Sequence, residues 1–245
     1  MAEWKIIHID ETDSTNRWIR NFLSKDTFIV VWADFQTAGR GCGTNRWESE
    51  RNKNLTFSIL IHPQNMPATQ QFDISMAISL AICEALGQHI LQPEDRSVVR
   101  NGDLSIKWPN DIYWRDGKIA GILIEHTLHG SVVKDSIIGI GLNVNQRVFH
   151  SDAPNPISLW QICGQETDRE QLLHDILCAF ERYLEQDIRE QYLGMLYRRR
   201  GFYPYADQNG IFMAELVTVE PDGHLLLRDD NGHERRYAFK EVCYV

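Results

Sequence analysis

The sequence predicts an α+β fold in which helices pack against a mixed, largely antiparallel sheet, and three observations support this class. Residues 28–35 and 55–61 are nearly continuous apolar runs, which is typical of strands buried on both faces. Residues 74–86 carry apolar side chains at helical spacing. From about residue 206 onward, glycine-containing turns separate short strands, which indicates a small antiparallel barrel or sheet.

Composition excludes several functional classes. The 245 residues carry 25 basic and 34 acidic side chains, a formal net charge of −9, which argues against nucleic acid as a partner. The five cysteines are odd in number and include no C-x-x-C pair, so we expect free thiols in a reducing cytoplasm. The sequence shows no cationic leader and no apolar run near the ~20 residues of a membrane span. We therefore expect a soluble, unprocessed protein without a membrane partner.

The first elements are a strand and a short helix. Residues 4–9 alternate enough to form a strand, and the block Asp13-Ser14-Thr15-Asn16 then precedes a helical pattern, with Ser14 as the expected N-cap. The start of a helix also presents free N–H groups and hydroxyls to a polar ligand, so capping and ligand binding are both compatible with this block. The apolar residues of the helix share one face: Trp18, Ile19, Phe22 and Leu23.

Residues 36–47, QTAGRGCGTNRW, form a glycine-rich loop at the end of the second strand. Three glycines let the backbone take positive φ angles and bring N–H groups against a ligand: Gly39, Gly41 and Gly43. Arg40 adds a permanent charge with a bidentate fork. Thr44 replaces the last glycine of a dinucleotide fingerprint, and no phosphate-loop lysine follows. By itself the loop fits either a surface turn or a cradle for a carboxylate or phosphate.

Residues 106–145 predict a meander that contains one unusual lysine. A turn at residues 115–118 should join strands at 111–114 and 119–128, and a third strand should follow at 135–143. Lys107 stands between an apolar strand and the Trp108-Pro109 corner, where a half-buried cation is placed to meet an anion. His126 and His129 have no third ligand nearby, so we expect no metal site there.

Helical signals return after an irregular stretch rich in proline and asparagine. Thr167 and Glu170 are spaced as a capping box. Apolar residues on one face follow: Leu173, Ile176, Leu177, Phe180 and Leu184. The pattern continues to about Arg200, with a break near Gly194, and Pro204 should end it. We therefore expect a main domain over residues 1–203 and a small β domain over 204–245.

Five ordered blocks resemble the biotin–protein ligases, in family order over nearly the whole chain: residues 13–16, the glycine loop, KWPND at 107–111, GKIAGIL at 117–123 and GIGLNVN at 139–145. The resemblance implies a catalytic domain with a class II synthetase-like fold and an SH3-like C-terminal β-barrel. It also implies two-step chemistry, in which biotin and ATP give biotinyl-5′-AMP and the acyl group then passes to a lysine of a biotin carboxyl carrier protein. The acceptor would belong to acetyl-CoA carboxylase or another biotin-dependent carboxylase. Because the catalytic pattern begins at once, we expect a form without the N-terminal DNA-binding domain.

The resemblance also implies the site, residue by residue. Arg40 and Lys107 would be the catalytic cations, because the biotin carboxylate must approach the α-phosphate of ATP and both groups are anions. The residues at biotin would be Ser14, Thr15, Asn16, Gln36, Gly39, Arg40, Gly41, Cys42, Lys107 and Gly121. Trp47 could stack on adenine, and the other residues around the nucleotide and its Mg²⁺ would be Asn110, Asp111, Lys118 and Asn143. The oxygens that bind the metal stay unassigned.

Cys42 marks a departure from the family pattern. Many members carry a second arginine at this position, so we expect weaker retention of the acyl-adenylate here. Arg40 and Arg46 nearby predict a reactive, partly exposed thiol, and a cysteine packed inward as a small hydrophobe is the alternative.

Two alternative functions stay open. One is a lipoate or octanoyl ligase of the same superfamily, and the other is a non-catalytic protein that binds or senses biotin. The retention of both Arg40 and Lys107 disfavours mere binding. Biotin-dependent exchange of pyrophosphate into ATP separates all three functions. The oligomeric state also stays open, although members of the family often pair through their sheets, which makes a homodimer an expectation.

Overall fold

The computed structural model describes residues 4–22, 28–43, 45–90, 102–151 and 153–245. Seven strands form the main sheet: β1 (Trp4–Thr12), β2 (Phe28–Gln36), β3 (Leu55–Ile61), β4 (Leu104–Lys107), β5 (Asp111–Trp114), β6 (Gly117–His129) and β7 (Val132–Leu142). Their order is β1-β2-β3-β7-β6-β5-β4, and only β1 and β2 pair in parallel. The predicted mixed, largely antiparallel sheet and its hairpin meander are confirmed.

Helices pack on both faces of the main sheet. The helices are α1 (Thr15–Arg20), α2 (Phe72–Ile90), α3 (Leu159–Cys163), α4 (Arg169–Leu184) and α5 (Arg189–Gly194), with a 3₁₀ turn at Ala68–Gln70. The α2 helix is apolar almost all round, as expected of a helix buried between the sheet and α4. Its residues share one large hydrophobic cluster with β3 and α4, including Phe57, Ile78 and Leu177.

The opposite face of the sheet carries the short helix α1. Ile19 of α1 is fully buried against Ile29 and Val31 of β2, and Leu60 and Ile137 complete this smaller cluster. Because α1 packs on β2, β3 and β7, its Asn16 comes to lie against Gly139 of β7. Residue 23, which the sequence placed on the apolar face of this helix, lies outside the described residues.

A second, five-stranded antiparallel sheet follows: β8 (Tyr203–Asp207), β9 (Gly210–Val219), β10 (Leu225–Asp229), β11 (Glu234–Tyr237) and β12 (Cys243–Tyr244). Its order is β11-β10-β9-β8-β12, and within residues 203–245 no pairing closes it into the expected barrel. Tyr205 and Leu227 belong to the same hydrophobic cluster as the main sheet, and Trp108 Nε1 donates to the Gly223 carbonyl oxygen at 2.9 Å. A division near residue 204 stays a prediction, since both sheets share one core.

Three local predictions around the later helices are wrong. Asp168, not Thr167, is the N-cap of α4, and its carboxylate accepts from the Glu170 and Gln171 N–H groups. Helix does not extend to about residue 200, because α4 ends at Leu184 and α5 at Gly194. The predicted terminator, Pro204, instead lies inside β8. A proline lacks the N–H that a strand donates to its neighbour, and it is tolerated here because the neighbouring β12 is too short to need that hydrogen bond.

Candidate active site

A polar pocket forms where α1 meets the sheet. Ser14, Thr15 and Asn16 are all buried, and Ser14 is the N-cap residue, although its side chain makes no capping bond. The free N–H of Thr15 instead donates to Gln36 Oε1 at 2.9 Å, and the Thr15 hydroxyl donates to the same oxygen at 3.1 Å. Ser58 Oγ lies 2.7 Å from Thr15 Oγ1 and 2.6 Å from Asn16 Oδ1. Thr15 and Asn16, two of the predicted biotin residues, therefore share one hydrogen-bonded network with Gln36 and Ser58, and the buried Ser14 lies next to it in the chain.

Glu125 of β6 joins this network to two arginines. Its Oε2 accepts from Asn16 Nδ2 at 3.0 Å, and its Oε1 lies 2.8 Å from Arg20 and 3.7 Å from Arg40. Arg40, the predicted catalytic cation of the glycine loop, is 38% exposed in its side chain and is thus open to a further anion. The carboxylate holds Arg40 beside Asn16, so the loop and the polar pocket belong to one site.

Three strand glycines provide the surface on which this site rests. Gly139 and Gly141 are two residues apart on β7 and therefore share one face of the sheet. A Cβ at Gly139 would come within 3.0 Å of the Asn16 amide, and a Cβ at Gly141 within 3.0 Å of the Trp47 indole. Gly121 pairs with Gly141 in the adjacent strand and also contacts Trp47. We call Gly121, Gly139 and Gly141 the glycine floor.

The glycine loop is a narrow hairpin, and Trp47 at its end packs on the glycine floor. Arg40 bridges Arg46 across it, and the Gly41 N–H donates to Asn45 O at 2.8 Å. Of the three predicted positive-φ glycines only Gly43 has one, at +69°. Cys42 is half-buried and free, so its thiol is not packed inward in the core.

Lys107 lies on the same face at the β4 edge. Its Nζ is 3.1 Å from the Tyr113 hydroxyl and 5.0 Å from the ring centroids of both Tyr113 and Tyr244. Burial lowers the pKa of Lys107, while the nearby Asp111 carboxylate raises it. The expectation of a half-buried cation is confirmed.

A second cation stands between Lys107 and the glycine floor. Lys118 Nζ forms an ion pair with Asp111 at 2.7 Å and lies 5.9 Å from the centroid of the Trp47 ring. Asn143 donates to the carbonyl oxygens of Lys118 at 3.5 Å and of Ile157 at 3.1 Å. Asn143 Oδ1 and Trp47 Nε1 are both buried and find no hydrogen-bond partner among the described residues. An unpaired acceptor and an unpaired donor therefore lie at this end of the site.

The structure brings the predicted residues together as two groups on one face. Ser14, Thr15, Asn16, Gln36 and Arg40 form the first group, and the second contains Trp47, Lys107, Asp111, Lys118, Gly121 and Asn143. Asn110 stands at the corner after β4, where its Nδ2 donates to the Ile122 carbonyl oxygen at 2.9 Å. Arg40 and Lys107 belong to different groups, and each has its own protein partners.

Sequence reasoning missed two residues of the polar network. Ser58 is one of two hydroxyl residues in the buried strand LTFSILI, and Glu125 is a lone carboxylate in the apolar run IAGILIEH. A polar residue inside an apolar strand was the available signal, because such a group must find a partner when buried.

His126, one of the two histidines for which the sequence predicted no metal site, has a protein partner. His126 Nδ1 lies 2.8 Å from the Ser136 hydroxyl, and burial lowers the His126 pKa. Within the described residues one group of potential ligands was found, Glu220, Asp222 and His224, but Arg236 forms ion pairs with both of its carboxylates.

The family can be assigned from this fold and site. The model of the Biotin/lipoate A/B protein ligase family matches residues 8–143, more than half of the chain and both groups of site residues. The chain therefore belongs to this family, and the expectation of a ligase of the biotin–protein ligase type is confirmed.

Individual relatives agree with this assignment. The bifunctional ligase/repressor BirA of Bacillus subtilis is 28% identical over 97% of this chain and 73% of its own length. The biotin–[acetyl-CoA-carboxylase] ligase of Paracoccus denitrificans is 29% identical over 91% of this chain and 94% of its own. The biotin protein ligase of Aquifex aeolicus in complex with biotin and ATP shares the fold, with a TM-score of 0.79 and 24% identity over 98% of this chain and 99% of that one. In the described residues of the present chain, no helix is long and apolar enough to cross a membrane.

Proposed function

We propose that the chain joins biotin to ATP to give biotinyl-5′-AMP and pyrophosphate, and then transfers the biotinyl group to a lysine of a biotin carboxyl carrier protein. The observation that carries this proposal is the order of groups along one sheet face. A polar pocket around Asn16 comes first, then the glycine floor under Trp47, then the paired cation Lys118 and the half-buried cation Lys107. The names of the relatives and of the Aquifex structure support the same substrates.

The polar pocket suits the ureido ring of biotin, which offers two N–H donors and one carbonyl acceptor. The buried Ser14, Thr15 and Asn16 and the half-buried Gln36 supply hydroxyl and amide groups of both kinds. In this assignment Gly39, Arg40, Gly41 and Cys42 of the glycine loop cover the valeryl chain and its carboxylate, and Gly121 lies beneath them. Arg40 belongs to this loop and is joined to the pocket through Glu125, so it would meet the carboxylate.

The second group suits the nucleotide. Trp47 would stack on adenine, and the unpaired Trp47 Nε1 and Asn143 Oδ1 offer a donor and an acceptor. Asn110 would fix the corner that carries Lys107. The Asp111 carboxylate, which pairs with Lys118, is an oxygen group of the kind that Mg²⁺ prefers, and bound Mg²⁺ would neutralise charge on the phosphates.

The chemistry needs two cations, one for each of the two reacting anions. The biotin carboxylate attacks the α-phosphorus, a new C–O–P anhydride bond forms, and the bond to pyrophosphate breaks. Negative charge grows on the α-phosphate oxygens while this happens. Lys107 is the donor placed to meet that charge, and Arg40 holds the attacking carboxylate, so preorganised cations lower the barrier.

The remaining parts of the proposal concern partners and compartment. Five free cysteines favour a reducing cytoplasm. The acceptor would be a carrier protein of acetyl-CoA carboxylase or a related carboxylase. Pairing of two copies is proposed along β1, which is the terminal strand of the main sheet's order, and light scattering at several concentrations would test it.

Exchange of labelled pyrophosphate into ATP tests the activation step. We expect exchange that depends on biotin and is not supported by lipoate or octanoate. Exchange with lipoate alone would select the other branch of the family, and tight biotin binding without exchange would show a non-catalytic protein. Biotin transfer to a purified carrier domain, detected by mass spectrometry at one lysine, then tests the second step.

A further inference from the structure

The Lys107 ammonium group lies between two tyrosine rings that come from different sheets. Tyr113 belongs to β5 of the main sheet, whereas Tyr244 belongs to β12 of the second sheet. Both ring centroids are 5.0 Å from Lys107 Nζ, a distance at which the face of an aromatic ring attracts a cation. The second sheet therefore supplies one wall of the space around the proposed catalytic cation.

Tyr244 itself is firmly held. Its ring packs against Tyr205 at 5.1 Å and Tyr197 at 6.1 Å between centroids. Its hydroxyl is buried beside the backbone of Trp108, the residue that follows Lys107. The ring that faces the ammonium group is thus fixed from behind by the core of the second sheet.

Arg198 fixes the strand that carries Tyr244. Its guanidinium group donates to Pro204 O of β8 at 3.2 Å and to Val245 O at 2.9 Å, so it ties β8 to β12. The same guanidinium lies 5.1 Å from the Tyr203 ring and 5.9 Å from the Tyr244 ring. Tyr203 thus shares Arg198 with Tyr244, but no contact joins it to Lys107 among the described residues.

We propose that Tyr244 is a positioning residue for adenylation, which holds the Lys107 ammonium group over the site from the second sheet. This inference rests on the proposed function of Lys107. A half-buried ammonium loses water, and here two ring faces and the Tyr113 hydroxyl replace it. Without the Tyr244 face the ammonium group would be free to leave the geometry that the reaction requires.

The charge state of Lys107 provides an independent measure of this contact. Several groups from three parts of the chain face the ammonium: Asp111 and Tyr113 of β5, Arg198, and Cys243 and Tyr244 of β12. Burial and Arg198 lower the Lys107 pKa, whereas Asp111 and Cys243 raise it. A ring face favours the charged form, so replacing Tyr244 by leucine should lower the pKa further.

The test compares Tyr244→Leu, Tyr244→Phe and the control Tyr203→Leu. Tyr244→Phe keeps the ring, and Tyr203→Leu removes a tyrosine that stacks on Arg198 without touching Lys107. Competitive labelling of lysines with trace acetic anhydride, followed by peptide mass spectrometry, gives the pH midpoint of Lys107 in each folded variant. Pyrophosphate exchange gives kcat and the KM for biotin in the same samples.

We expect Tyr244→Leu to lower kcat by about tenfold with little change in KM, and to lower the Lys107 midpoint. Tyr244→Phe and Tyr203→Leu should match the parent protein in both measurements. An unaltered kcat and midpoint in Tyr244→Leu would overturn the inference, and so would equal losses in Tyr203→Leu, which would indicate general damage to the sheet. If the parent chain shows no exchange, the proposed function fails, while the midpoints still report whether Tyr244 contacts Lys107.

Discussion

Asn16 of α1 stands directly over Gly139 of β7, so closely that no side chain fits between them. The contact fixes the amide that hydrogen-bonds both Ser58 and Glu125. A strand glycine usually weakens a sheet, and at this position it is required because another residue occupies the space of its side chain.

Replacing Gly139 by alanine should therefore displace Asn16. We expect biotin affinity to fall by roughly tenfold or more and the free energy of unfolding to fall by about 1–3 kcal/mol, because the added methyl group overpacks a buried contact. Calorimetric titration with biotin and chemical denaturation would measure the two effects. Gly87→Ala in α2 is the matched control, since a Cβ there meets no atom within 4 Å. Normal biotin affinity in the Gly139 variant would show that Asn16 does not bind the ligand.

Lys107→Ala should abolish adenylation far more than it weakens biotin binding. The loss of one preorganised donor typically lowers the rate by ~10²–10³, and the charge matters most when the α-phosphate accumulates negative charge. Exchange kinetics and biotin titration on the same variant would separate the effects. Lys134→Ala, which removes an exposed lysine beside Asp135, is the control. Near-normal exchange in the Lys107 variant would remove this residue from the catalytic group.

The pH profile of exchange should follow the same lysine. Burial lowers the pKa of Lys107 from the ordinary 10.5, so the ammonium group loses its proton at a lower pH than a solvated lysine does. Activity that needs the cation is therefore complete below the lowered value and falls as the pH rises through it. In Lys107→Arg the guanidinium stays charged, so the decline of exchange activity at alkaline pH should shift to higher pH. This shift is expected even if the maximal rate of the variant is lower. A decline at unchanged pH would assign it to another group.

Glu125→Gln should weaken biotin binding more than it slows catalysis. The neutral amide cannot pair with Arg20 and Arg40, and its N–H₂ group would oppose the Asn16 amide. We expect a KM for biotin raised by about 3- to 30-fold, equivalent to about 0.7–2 kcal/mol, from steady-state exchange kinetics. Glu84→Gln, which breaks a comparable ion pair with Arg182 on distant helices, should leave the KM unchanged. Equal effects of the two substitutions would refute a role of Glu125 in the site.

Cys42→Arg should slow the release of biotinyl-5′-AMP. A charge-assisted hydrogen bond to the intermediate contributes roughly 1.5–3 kcal/mol, or about a 10- to 100-fold longer lifetime. Stopped-flow chase of bound adenylate would measure it. In the parent chain, alkylation of Cys42 should inactivate the enzyme, and biotin should slow that alkylation. The exposed Cys178 serves as the internal reference. Equal labelling of Cys42 with and without biotin, together with an unchanged rate of adenylate release in Cys42→Arg, would show that this residue does not contact the ligand.

Periodic and apolar patterns predicted the architecture well. The hairpin after Asp111, the buried strand at 28–35 and the long α2 helix were all confirmed, because each depends on residues close together in sequence. The capping box at Thr167 failed because Asp168, the adjacent residue, is an equally good cap and competes for the same N–H groups. The strands β8 and β12 were missed, since β12 has two residues and β8 contains a proline.

The site was harder to predict, because its contacts connect distant segments. The order of the motifs predicted that Asn16, Lys107 and Lys118 belong to the site. Ser58 and Glu125 were not predicted, because they join the site through hydrogen bonds to Asn16 that span 42 and 109 residues. Likewise, nothing near Lys107 in sequence indicates that Tyr244 lies against its ammonium group. Such contacts depend on how the two sheets pack, which local patterns do not determine.

The hydrophobic cluster that runs from Val30 to Val242 has a consequence for synthesis on the ribosome. The main sheet and α2 are translated first, yet part of their apolar surface is covered only when Tyr205, Leu227 and Val242 follow. At ~5–20 residues per second that surface stays open for seconds, which is the interval in which aggregation competes with folding. The nascent chain therefore completes its core only after the second sheet has been made, and chaperones that shield apolar surface should matter most during that interval.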